Sequence, residues 1–118
     1  MIERTDTNNG LPVGHYKLTV SSPVEKHKFE NNDKKYYLFK FTTTLGENLM
    51  EHQERFPAWM ASDIIKAVGG KEVTPGVFEW DRDAVVGNMV EADIIMEKNP
   101  KDGKEYRRMK NIKEALPF

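Results

Sequence analysis

Lys35 to Leu45 alternates without a break, and that alternation commits the chain to a fold built on β-sheet. Tyr37, Phe39, Phe41 and Thr43 fall on one face of an extended segment, and Tyr36, Leu38, Lys40 and Thr42 on the other. A helix would scatter the same side chains around its axis, whereas a strand sorts them into an apolar and a mixed face. Aromatic and β-branched residues fill the run, as a pleated, half-buried surface favours.

The same period recurs before and after it. From Gly14 to Val20, Tyr16, Leu18 and Val20 share a face. Ser21-Ser22-Pro23 interrupts that strand as a bulge, bend or edge, and Val24 to Phe29 continues it. Gly46-Glu47-Asn48 turns the chain into a third strand, Leu49 to Phe56. At Pro57-Ala58-Trp59 the period changes. Met60, Ile64, Ile65 and Val68 fit one face of a short helix, stopped by Gly69-Gly70. Lys71 to Asp83 reads as a loop around Pro75-Gly76, with a short helical turn near Asp81 to Val85. Val90 to Lys98 and Tyr106 to Lys110 read as the last two strands. The Asp102-Gly103 step between them is a hairpin signal.

Three strands, a helix and two strands predict an all-β fold: a five-stranded Greek-key barrel of the OB type, with one helix between strands three and four. The competing layout is an α+β sandwich with one helix on an open sheet. At 118 residues the chain is one domain, here residues 14–118, preceded by a flexible leader over residues 1–13. The leader shows no secretory signal and no run is long enough for a membrane span, so a cytoplasmic protein without membrane contact is expected.

Composition narrows the chemistry. With no cysteine, thiolate metal sites and cysteine nucleophiles are excluded. His15, His27 and His52 follow no metal-ligand spacing, and no glycine loop precedes a helix to cradle a phosphate. Neither a cofactor nor a metal is expected. Glu91 and Asp93 project from one face of a strand, so a magnesium-dependent nuclease is one reading; a solvated strand face is the other.

Net charge, −1, argues against bulk attraction to nucleic acid. The charges are nevertheless sorted along the chain. Lys101, Lys104, Arg107, Arg108, Lys110 and Lys113 outnumber Asp102 and Glu105, while Glu79, Asp81, Asp83, Glu91, Asp93 and Glu97 surround Arg82 alone. Lys26, Lys28, Lys34 and Lys35 make a second basic cluster. Binding a single strand without sequence preference needs cations along a groove and rings on which bases stack. Tyr106, Arg108 and Lys110 share one strand face, as do Tyr36 and Lys40. Lys17, Lys35, Tyr36, Lys40, Tyr106, Arg107, Arg108 and Lys110 are therefore the candidate nucleic-acid contacts. The tyrosines either stack on bases or pack with their hydroxyls at the rim. Phe56 and Trp59 read as anchors of the helix start, and Trp80 fits either role.

Gly14-x-Tyr16, Phe56-x-x-Trp59 leading to Ala67-Val68-Gly69, Val86-Gly87-x-x-Val90, and Asp102-Gly103-Lys104-x-Tyr106 with Ile112 and Pro117 resemble the small phage- and prophage-encoded single-stranded-DNA-binding proteins. The resemblance spans residues 14–118. It implies an OB fold, sequence-independent binding of single-stranded DNA in replication or recombination, no catalysis, and homo-oligomers. It places the groove on the second, third and fifth strands. RNA is a second candidate ligand. Many such proteins end in an acidic tail that recruits partners. Here Leu116-Pro117-Phe118 follows the last strand, so a tail function is not expected. The alternative is a virion or complex subunit that uses the same barrel for protein contacts.

Overall fold

The computed structural model describes residues 10–115. Its spine is the alternating run, β3 (Lys35–Leu45), introduced here with its neighbours β1 (Gly14–Val20), β2 (Glu25–Lys28) and β4 (Asn48–Pro57). As its sequence demands, β3 turns Phe39 and Phe41 inward, at 0% and 1% exposure. It pairs with β4 along its length, from Tyr36↔Pro57 to Leu45↔Asn48. Its other edge pairs first with β2 and further along with the end of β1. β1 and β2 are two segments of one bent run. Ser21-Ser22-Pro23 breaks the ladder, and the Ser21 N–H is satisfied by the Lys40 carbonyl at 2.9 Å.

After β4 come a 3₁₀ turn (Ala58–Met60), the helix α1 (Ser62–Ala67) and a small separate hairpin, β5 (Lys71–Thr74) with β6 (Val77–Glu79). The chain then returns as β7 (Met89–Lys98) against β1, and β8 (Glu105–Glu114) against β7. All pairings are antiparallel, so the fold is all-β with one short helix.

Several expectations change. Lys71 to Asp83 is not a structureless loop: Pro75-Gly76 is a hairpin turn, with Gly76 at φ 79° and its N–H bonded to the Glu72 carboxylate at 3.0 Å. No alternating apolar face announces this hairpin, because turn chemistry rather than core burial holds it. The segment near Asp81 is a chain of turns instead of a helix. Asp81 Oδ1 accepts the N–H groups of Asp83 and Ala84 at 2.8 and 3.2 Å. The helix is also shorter than its apolar pattern, since Ala58–Met60 winds as 3₁₀. It closes as predicted. Gly69 (φ 100°) and Gly70 donate to the carbonyls of Lys66 and Ile65, the paired bonds of a glycine cap.

Phe39 organises the core. Phe41 stacks on it at 5.8 Å, Phe56 meets it edge-on at 5.4 Å, and Trp80 lies parallel at 5.9 Å, which assigns Trp80 to packing. Leu18, Val90, Ile94, Ile64 and Val68 belong to the same buried cluster. Leu11 is also fully buried, so the ordered domain begins before residue 14; residues 1–9 and 116–118 lie outside the described residues.

The sheet edges β4 and β8 share no backbone ladder among the described residues. One carboxylate spans the seam. Glu54 sits opposite Phe39 on the inward face, and its Oε1 accepts the Met109 N–H at 2.9 Å. His52 Nε2 lies 3.0 Å from the same oxygen, and both side chains are nearly buried, at 6% and 10% exposure.

Candidate nucleic-acid interface

Hairpin pairing undoes the charge sorting that the sequence displays. Strands in a ladder lie about 5 Å apart, so arms of opposite charge neutralise each other unless their faces differ. Here the faces coincide. Glu97 is opposite Tyr106 in the register. Its Oε2 accepts the Tyr106 hydroxyl at 3.2 Å and Arg108 at 3.1 Å, and Lys110 Nζ approaches Oε1 at 3.4 Å. Burial pushes the Glu97 carboxyl up, but Arg108 and Lys110 outweigh it and hold it below the usual range. The acidic arm therefore lies within the expected basic wall. Arg107 is on the other face of β8, where Nε donates to the Leu11 carbonyl at 2.6 Å, so it secures the start of the domain.

Further along the hairpin, His15 Nδ1 contacts Asp93 at 2.7 Å while Nε2 faces Glu91 at 3.6 Å. Asn111, in the left-handed region at φ 54°, donates to the other Asp93 oxygen at 2.7 Å. The Asp93 hydrogen bond raises the His15 pKa above 6.5, and Asn111 and His15 lower that of Asp93. The signs fix two windows. The His15 contribution is complete below its unfolded value and lost as pH rises through the higher folded value. The Asp93 contribution is present above its ordinary value and lost as pH falls through the depressed one. Thermal melts between about pH 6 and about pH 8 should show Tm falling more in wild type than in His15→Gln. Parallel curves would remove His15 from the pair.

The second expected patch is richer than its sequence suggested. On the outer face of β2 and β3, His27 lies opposite Tyr36, with ring centroids 5.5 Å apart. Phe29 packs on Tyr36 at 4.8 Å and reaches Trp59 at 5.9 Å. Two cations cap this row: Arg55 lies 5.1 Å over Tyr36, and Lys34 4.9 Å over Trp59. A cavity of about 410 Å³, lined by His27, Phe29, Asn31, Tyr36 and Arg55, opens beside it. Local sequence builds each part. Period two sends His27 and Tyr36 outward, and the Asn32 side chain accepts the Lys34 N–H at 2.8 Å to shape the tip. Pro57 ends β4, so the next turn presents Trp59 at 56% exposure.

Lys40 shares the Tyr36 face, where Glu25 holds it at 3.1 Å. Lys35 stands opposite Lys28 on the other face of the ribbon from Tyr36. Lys17 is exposed on β1, opposite Glu91. The candidates thus do not form one continuous wall. Tyr36 joins a cluster with His27, Phe29, Lys34, Arg55 and Trp59, while Tyr106, Arg108 and Lys110 form a second one around Glu97. The 3₁₀ turn links them: Trp59 touches Phe29, and the next residue, Met60, lines a cleft of about 180 Å³ with Asp63, Arg108 and Lys110. The adjacency Lys34-Lys35-Tyr36 was the available signal for the first cluster. Trp59, expected to anchor the helix start, is instead exposed against Phe29, and its position depends on how the chain leaves β4.

A larger open concavity, about 1090 Å³, lies along the β3–β4 hairpin, but the aromatic rings that line it among the described residues, Phe41 and His52, are buried. Among the described residues no group of three His, Asp or Glu side chains is arranged to hold a metal, and no helix is long and apolar enough to cross a membrane. No protein-family model matches the chain, and no curated protein matches it.

Proposed function

We propose that this chain is a non-enzymatic, OB-type protein that binds single-stranded DNA, with RNA as the second candidate. The observation that carries the reading is the outward row His27–Tyr36–Phe29–Trp59 capped by Arg55 and Lys34. Rings that are exposed or partly exposed beside cations match what bases and phosphates need, and strands two and three of an OB fold are where such ligands lie. The strand order supports that fold: β1 with β2 acts as the first strand, β3 and β4 as the second and third, and β7 and β8 as the fourth and fifth. A single bond, from the Met109 N–H to Glu54 Oε1, joins β8 to β4 where a closed barrel would carry a final ladder. A role in cytoplasmic DNA replication or recombination, as a homo-oligomer, follows from the resemblance to the phage proteins.

The alternative, an assembly module working through protein contacts, draws on Leu45 and Leu49 at the hairpin tip, exposed at 38% and 70%. Fluorescence anisotropy with labelled oligo-dT separates the two. Binding should weaken with salt at a log–log slope of about −0.7 per phosphate neutralised. A duplex of equal length should bind more weakly, because its bases are not free to stack. A folded protein that leaves oligo-dT anisotropy unchanged at low salt would contradict the reading.

A further inference from the structure

We infer that Tyr106, Arg108 and Lys110 form a phosphate site occupied in the free protein by Glu97, which attenuates the groove's hold on a nucleic-acid strand. The inference rests on the proposed function for its ligand and on geometry for its site. One carboxylate draws together a hydroxyl at 3.2 Å, a guanidinium at 3.1 Å and an ammonium at 3.4 Å. That donor set suits a phosphate equally well: a planar guanidinium, a point charge and a neutral hydroxyl around one anion.

The site is open to exchange. The side chains of Glu97, Arg108 and Lys110 are 31%, 32% and 44% exposed, and Tyr106 is 42% exposed. From Tyr106 to Lys110 the strand advances about 13 Å at the usual rise per residue. A single carboxylate has gathered donors that an extended strand's phosphates would meet one after another. Continuity with the aromatic row comes through Met60, which lines the same cleft as Arg108 and Lys110. Asp63 also lines that cleft and adds to the negative charge a strand would meet.

Glu97→Gln tests this, since it keeps the side chain's shape and an acceptor oxygen while removing the charge. Oligo-dT should bind about two- to fivefold more tightly at low salt, the scale of one partly exposed charge pair. The salt slope should steepen by about 0.7, one further phosphate held. Arg108→Gln should then cost more affinity in the Glu97→Gln background than in wild type. Glu97→Thr, a residue that favours strands, should shift affinity in the same direction and serves if the glutamine variant folds poorly. Wild-type binding with unchanged affinity and slope in both folded variants would overturn the phosphate site and leave the proposed function standing. Wild type and both variants all failing to bind would overturn the proposed function, and this inference with it.

Discussion

Trp59→Ala and Tyr36→Ala should each weaken oligo-dT binding by about fivefold to a hundredfold, because one stacked base contributes about 1–3 kcal/mol. The two positions differ in what else they hold. Trp59 is 56% exposed, so its loss should leave the melting temperature nearly unchanged. Tyr36 is half-buried under Arg55 and against His27 and Phe29, so its loss also loosens the cluster. Phe29 touches both rings, and the double variant should therefore lose less than the sum of the two single losses. Anisotropy titrations alongside thermal melts read both quantities. Unchanged affinity in the folded Trp59→Ala and Tyr36→Ala proteins would remove this face from the binding account.

Glu54→Ala should lower stability by about 2–4 kcal/mol, the scale for a buried group that leaves its partners unsatisfied. The substitution strands the Met109 N–H and removes the contact to His52 in a nearly closed interior. It also separates β4 from β8, which share no ladder among the described residues. Glu54→Gln keeps an oxygen for Met109 and should cost clearly less. Urea denaturation followed by circular dichroism gives both numbers. A loss below about 0.5 kcal/mol in Glu54→Ala, the usual size for a surface change, would mean that the carboxylate does not hold the seam.

The parts legible in the sequence were those decided by local periodicity and turn chemistry. Tyr37, Phe39 and Phe41 announced β3, Ser21-Ser22-Pro23 the bend between β1 and β2, Asp102-Gly103 the last hairpin, and Gly69-Gly70 the helix end. What stayed hidden depends on which element lies beside which. The charge of Glu97 looks separate from Arg108 along the chain, yet the hairpin register makes them partners. Arg107 counts as one more cation until alternation sends it to the opposite face, toward Leu11. Glu54 is an ordinary polar residue in an alternating strand. Only the position of β8 turns it into the link across the seam. Trp59 comes two residues after Pro57, and whether it faces the core or solvent depends on how the chain leaves β4.

Chemical-shift mapping with ¹⁵N-labelled protein and unlabelled oligo-dT tests the central claim most directly, since it reports binding and its location together. The expected result is that the largest shifts fall on the Trp59 indole N–H, on Phe29, Lys34 and Tyr36, and on Arg55, with smaller ones on Arg108 and Lys110. Shifts confined to the β3–β4 hairpin tip or to β5 and β6, or none with excess oligo-dT at low salt, would contradict it.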